Sequence, residues 1–298
     1  MTNSVDKFKG IGVAVVTPFT VDGKVDFPNL EKLVENLITN KVDYLLALGT
    51  TSEYPTMSKS ERLDIVRCIA SVNAGRLPML MGLGGPSTQS ILSNIKDACK
   101  LPIDAILSVT PYYNKPSQLG LIEHYKAVAK SSPLPVILYN VPGRTSCNML
   151  AETTIRIAES NPNVIGIKEA SGNVKQILYL LNHKPKDFLV ISGDDLITLP
   201  LMAAGMDGLI SVLANAYPAE TANMVHLAMN DQFIKARLYH DKLFDISQAC
   251  FKEGNPSGIK AILAAQGKIK NVLRLPLVPV SDNLSNEIPL EYRIGLIV

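Results

Sequence analysis

The sequence predicts an α/β fold, a (β/α)8 TIM barrel followed by a C-terminal helical extension. Three observations carry that prediction. Eight short, β-rich apolar runs recur along the chain, amphipathic stretches of helical period separate them, and the strand pattern stops near residue 217.

The runs are IGVAVVT (11–17), DYLLALG (43–49), PMLMGLG (78–84), DAILSVT (104–110), PVILYNV (135–141), VIGIK (164–168), FLVISGD (188–194) and DGLISVL (207–213). Most are apolar at successive positions, as expected of parallel strands covered on both faces. Between the first two, Leu30, Leu33, Val34, Leu37 and Ile38 recur at helical spacing. SKSERLDIVRCIASV opens with Ser58 and Glu61 at capping-box spacing, which marks a helix start. HYKAVAK, LAETTIRIAES and QILYLLN carry the same period. A doubly wound open sheet alternates in the same way, and the count of eight favours the closed barrel. On this reading residues 1–217 form the catalytic barrel. Residues 218–298 form a helical domain built on TANMVHLAMN, DQFIKARLYHDKLFDISQA and PSGIKAILAAQG.

Composition narrows the function. The 298 residues are 47% hydrophobic and 19% charged, and 29 basic against 27 acidic residues leave a net charge of +2. That balance gives no electrostatic footprint for nucleic acid or an anionic membrane. No apolar run has the length of a membrane span, and MTNSVDKFKG lacks the apolar core of a signal peptide. Cys68, Cys99, Cys147 and Cys250 form no CxxC pair, which suits a reducing compartment and argues against zinc-ribbon or dithiol chemistry. A cytoplasmic protein is expected.

In a barrel the chemistry collects at the C-terminal ends of the strands. Those tips carry Thr17, Thr50 with Thr51, Gly82 with Gly84, Thr110 with Tyr112 and Tyr113, Tyr139 with Arg144, Lys168, Gly193 and Ile210. His124, His183, His226 and His240 fall in helical segments and form neither HxH nor HExxH, so no metal is expected. Asp194 and Asp195 read as helix caps before they read as cation ligands. GLGG (82–85) lacks the spacing of a phosphate loop and reads as a tight strand-to-helix turn.

Lys168 ends the buried run VIGIK. Most strand-end lysines extend to water. A desolvated amine, however, favours its uncharged form, attacks ketones, and forms a Schiff base that serves as an electron sink without a cofactor. Tyr139 lies one strand earlier at the same height, and reads equally as a proton shuttle or as an amphipathic rim tyrosine. Thr50 and Thr51 fit an ordinary cap, or a pair of hydroxyls and N–H groups holding a small carboxylate. Arg144 fits a surface ion pair or a bidentate clamp on a carboxylate.

Six motifs in order, GVAVVTPF, GTTSEYPTM, VTPYYNKPSQLGL, ILYNVPGRT, GIKEASGN and SGDD, strongly resemble the pyruvate-dependent class I aldolase and N-acetylneuraminate lyase family over roughly residues 10–215. The resemblance implies a (β/α)8 barrel with a C-terminal helical domain and no cofactor. It implies a Schiff-base lysine at Lys168 and a proton relay of Thr50, Tyr113 and Tyr139. In such enzymes the residue at Tyr113 reaches in from a neighbouring subunit, and the usual assembly is a homotetramer, a dimer of dimers. Thr51 matches the residue that holds the carboxylate of pyruvate, and Arg144 the one that meets the second substrate's carboxylate. The backbone at Gly193 and Ile210 matches the lining of the same pocket. The VPGRT stretch and GTT, where sialic-acid lyases read GST, imply L-aspartate 4-semialdehyde as the partner of pyruvate, on the diaminopimelate route to lysine. The alternatives are a sibling lyase of sialic acid or a 2-keto-3-deoxy sugar acid, and a barrel that binds a keto acid without turning it over. A barrel of the last kind has no use for a full relay.

Two departures from the family pattern stand out. Ser52 replaces a glycine in GTTGE, and Tyr54 replaces a small residue. If that glycine is needed at positive φ, serine is resisted by about 1 kcal/mol. The positions at which lysine-inhibited relatives hold the effector read Lys59, Arg62, Pro86 and Ser90, with Tyr112 kept. The added positive charge repels an ammonium group. Lysine feedback is therefore expected to be weak or absent.

Overall fold

The computed structural model describes residues 5–287. Residues 1–4, and residues 288–298 of the expected helical domain, lie outside the described residues. Eight parallel strands close into a barrel in chain order, with the last paired to the first. They are β1 Gly10–Ala14, β2 Tyr44–Ala47, β3 Met79–Gly82, β4 Ala105–Val109, β5 Val136–Asn140, β6 Val164–Glu169, β7 Leu189–Ser192 and β8 Gly208–Ser211.

The helices between them are α1 Phe27–Thr39, α2 Lys59–Asn73, α3 Thr88–Ala98, α4 Gln118–Ser131, the short α5 Pro142–Thr145, α6 Ala151–Ser160, α7 Val174–His183 and α8 Thr198–Ala203. Helix α2 begins at the expected capping box. The Ser58 hydroxyl accepts the Glu61 N–H at 3.2 Å, and the Glu61 carboxylate accepts the Ser58 N–H at 2.8 Å.

Alternate strand residues point to opposite faces. Tyr44, Leu46, Ile137, Tyr139 and Ile191 fill the barrel interior, while Leu45, Ala47, Val136, Leu138 and Val190 pack against the helices. The interior is wide enough for Tyr44 because β1 carries Gly12 opposite it. A Cβ on Gly12 would stand 2.1 Å from the Tyr44 ring.

Strand β6 breaks the alternation once. Val136 of β5 lies opposite Val164, but the next residue, Ile137, lies opposite Gly166, so Ile165 is an extra residue in the ladder. Such a bulge re-aims the side chains beyond it. Ile167 accordingly faces the helices, and Lys168 stands opposite Tyr139. Only glycine fits at 166, since a Cβ there would come within 2.8 Å of Leu189 Cβ.

After β8 come α9 Pro218–Met229, α10 Phe233–Lys252, α11 Ser257–Ala265 and α12 Asp282–Glu287. Helix α9 packs on β1 and β8, and α10 packs on α9 and α11. Val212, Leu213, Tyr217, Ile246, Ile259 and Ile262 share one buried cluster, which ties α10 and α11 to the end of β8. Among the described residues no helix is long and apolar enough to cross a membrane.

Candidate active site

A cavity of about 260 Å³ opens at the C-terminal ends of the strands, and Thr50, Thr51, Tyr139, Arg144, Lys168 and Gly193 line it. A wider cleft of about 440 Å³ at the other end of the barrel, lined by Arg76, Pro78, Met79 and Asp104, contains no lysine or tyrosine.

Lys168 is 5% exposed, and its Nζ lies 4.8 Å from the centroid of the Tyr139 ring. The two residues are direct neighbours across β5 and β6. Their successors, Asn140 and Glu169, are also paired and face outward into a buried polar network. Asn140 Nδ2 donates to Glu169 Oε2 at 3.0 Å and to Asn148 Oδ1 at 2.9 Å, while the Ser171 N–H donates to Glu169 Oε1 at 2.7 Å. Burial raises the pKa of Glu169, and these hydrogen bonds oppose the rise. The network fixes the strand ends that carry Tyr139 and Lys168.

Thr50 and Thr51 sit in a 3-10 turn, Thr50–Ser52, directly after β2. Thr51 is buried, and its hydroxyl accepts a hydrogen bond from Asn255 Nδ2 at 3.0 Å. Ser52 is not left-handed; the next residue, Glu53, is, with φ of 61°. The Ser52 hydroxyl donates to the Gly49 carbonyl at 2.8 Å. Serine therefore replaces the family glycine without backbone strain. Tyr54 is partly buried beside Tyr112, and burial raises the pKa of its phenol, with Tyr112 adding to the rise.

Arg144 lies on α5, and its Nη2 donates to the Asn255 carbonyl at 3.2 Å. Gly193 follows β7 and makes room for the lysine, since a Cβ there would lie 2.8 Å from Lys168 Cε. Ile210 is fully buried in the barrel interior with Tyr139 and Ile191, and its side chain is not part of the cavity wall. Tyr113 stands apart: it is 90% exposed and left-handed, with φ of 74°, and it does not line the cavity of its own chain.

The structure adds wall residues that the sequence did not announce: Leu196, Val212, Phe251 and Asn255. Phe251 and Asn255 lie in the C-terminal helical segment, where nothing in their spacing sets them apart from ordinary helix-end residues. Asp194 and Asp195 behave as turn residues. Asp194 Oδ1 accepts the Leu196 N–H at 3.0 Å, and Asp195 Oδ2 accepts the Val212 N–H at 3.0 Å.

A closed parallel barrel with a buried lysine and a phenol on adjacent strand ends defines the class of protein, a (β/α)8-barrel lyase. The chain belongs to the dihydrodipicolinate synthetase family, whose pattern matches residues 7–290. It is similar to the 4-hydroxy-tetrahydrodipicolinate synthase of Flavobacterium psychrophilum, at 48% identity over 95% of this chain and 97% of that one. It is also similar to the solved structure of the Acinetobacter baumannii dihydrodipicolinate synthase complexed with pyruvate, with a TM-score of 0.93, 39% identity and coverage of 97% and 99%. A dihydrodipicolinate synthase variant described as monomeric matches with a TM-score of 0.93, 40% identity and 98% coverage of both chains.

Proposed function

We propose that this chain condenses pyruvate with L-aspartate 4-semialdehyde to give 4-hydroxy-tetrahydrodipicolinate, through a Schiff base on Lys168. The single observation that carries the reading is the buried Lys168 beside Tyr139 in one cavity of about 260 Å³. The amine attacks the keto carbon of pyruvate, and the carbinolamine loses water to become an imine. Loss of a proton from the methyl carbon gives an enamine, which attacks the aldehyde carbon of the second substrate. The amino group of that substrate then displaces Lys168 and closes the ring. Each step moves a proton, and Tyr139, Thr50 and Tyr113 form the relay.

Thr51 receives the carboxylate of pyruvate, and Arg144 that of the semialdehyde, where its planar fork suits bidentate binding. Gly193 completes the lining, while Ile210, also matched by the resemblance, is buried in the barrel interior. Phe251, Leu196 and Val212 make part of the wall apolar, which suits a short aldehyde better than a polyhydroxylated one, because a buried hydroxyl without a partner is costly. The decisive assay supplies pyruvate with L-aspartate 4-semialdehyde, and in parallel with sugar aldehydes. Turnover of the semialdehyde alone supports the synthase, and turnover of a sugar aldehyde alone contradicts it.

The relay needs a second subunit. On this reading Tyr113 serves a neighbour, which its exposure and its absence from its own cavity wall support, and α7 exposes Val174, Leu178 and Tyr179 as a further apolar face. We read the assembly as a homotetramer, a dimer of dimers. Four free thiols fit a reducing cytoplasm. We divide the chain at residue 217 into barrel and helical domains, with α9 joining the two. Lysine inhibition is weak or absent on this reading, because Lys59, paired with Asp97 at 2.6 Å, and Arg62 stand at positions where lysine-inhibited relatives hold the effector, and their positive charge repels its ammonium.

A further inference from the structure

Two charged side chains next to the cavity take no part in the chemistry above. Glu53 is 1% exposed and Lys260, on α11, is fully buried, and their side chains form a direct ion pair. Each is held by further partners. The second carboxylate oxygen of Glu53 accepts the Arg274 N–H at 2.9 Å. Lys260 Nζ donates to the Val272 carbonyl at 3.0 Å and lies 4.0 Å from the Phe19 ring centroid. The Arg274 guanidinium packs on the same ring and bonds to Glu61 at the start of α2.

A buried ion pair adds little stability over a well-packed apolar pair, so its presence calls for another account. The backbone supplies one. Glu53 is left-handed, a conformation that costs a residue with a side chain about 1 kcal/mol or more, and here buried partners hold it in place. Those partners come from the far end of the chain. The Glu53 N–H also donates to the Thr50 carbonyl at 3.3 Å, so the conformation of Glu53 sets that of the turn holding Thr50 and Thr51. Helix α11 reaches the same turn a second time through the Asn255–Thr51 hydrogen bond just before its start.

We propose that Glu53 and Lys260 are positioning residues for keto-acid binding: their ion pair fastens the Thr50–Thr51 turn to α11, so the carboxylate site forms only when the C-terminal helices are seated. The proposal rests on the assignment of Thr51 to the carboxylate of pyruvate.

The test is a double variant, Glu53→Gln with Lys260→Met, which removes both charges and largely keeps the shapes. Its thermal midpoint should stay within a few degrees of the parent. Its KM for pyruvate should rise about tenfold while the KM for the aldehyde stays within about twofold, and kcat should fall as well, because Thr50 of the relay sits on the same turn. A folded double variant with the parent's pyruvate KM overturns the proposal. Glu53→Asp decides the matter if the double variant does not fold, since it keeps the charge and withdraws the carboxylate by one methylene. The same rise in pyruvate KM is expected there, and a parental value overturns the proposal. The unsubstituted enzyme, trapped with pyruvate and borohydride, is the control. A missing adduct on Lys168 removes the functional reading itself, whereas a normal adduct with variants of unchanged KM removes the positioning role alone.

Discussion

A methyl group on Gly193 would stand 2.8 Å from Lys168 Cε, so the end of β7 leaves room for the lysine stem and for nothing larger than hydrogen. Ala170 Cβ closes the other side at 2.7 Å. Gly193→Ala therefore displaces the amine without emptying the core. The expected result is a fall in kcat/KM of about a hundredfold, the scale of an ångström-sized misplacement, with thermal stability near the parent. Unchanged turnover in steady-state kinetics would show that the contact does not matter.

Arg144 is held by one hydrogen bond to the Asn255 carbonyl and otherwise faces the cavity. Arg144→Ala should raise the KM for the semialdehyde about tenfold or more, as expected for a lost charge-assisted pair. Adduct formation with pyruvate alone should be untouched. Arg144→Lys should recover only part of the loss, because an ammonium cannot make the planar fork. Equal damage to both substrates would remove Arg144 from its assigned role.

Tyr113 gives a test of subunit sharing. If its phenol completes a neighbour's relay, then Tyr113→Phe and Lys168→Ala are each nearly inactive, but mixed oligomers regain activity in the sites that carry both native residues. Assays of the two variants before and after reversible unfolding and mixing measure this. No recovery in verified mixed oligomers would place the phenol in its own chain's site or outside the chemistry.

His124 is 5% exposed on α4, and its ring Nδ1 lies 2.8 Å from the Thr88 hydroxyl. Burial lowers its pKa from 6.5 to about 4. Between those values the unfolded chain binds the proton and the folded chain does not, so this group makes stability rise with pH from about 4 to 6.5. The expected contribution is on the order of 3 kcal/mol. Glu61, lowered to about 2 mainly by Arg274, adds a separate loss only as pH falls below 4.5. Burial raises the pKa of Glu169 and Asp195, which opposes this slope within the same window, so the readout is a difference: in urea unfolding the stability of the parent relative to His124→Gln should rise from pH 4 to 6.5. A difference that does not change with pH would assign the effect to other groups.

The strands were readable because a covered parallel strand is apolar on both faces, and all eight runs quoted from the sequence became strands. The capping box at Ser58 and Glu61 was readable because the pattern is local. Three features were not. The bulge at Ile165 and Gly166, which turns Lys168 to face Tyr139, depends on pairing with β5, and VIGIK alone does not reveal it. Phe251 and Asn255 reach the cavity from helical sequence whose spacing describes only its own packing. At Ser52 the motif suggested strain, but the left-handed backbone belongs to Glu53, whose partners lie more than two hundred residues away in the chain. Local pattern finds elements and strand tips. Residues brought in by tertiary packing leave no such trace.

The most direct measurement is borohydride reduction of the protein with pyruvate, followed by peptide mass spectrometry. The account predicts one pyruvate-derived adduct per chain, located on Lys168, and its loss in Lys168→Ala. A folded protein that forms no adduct, or forms it on another lysine, would contradict the assignment of Lys168 as the amine that carries the reaction.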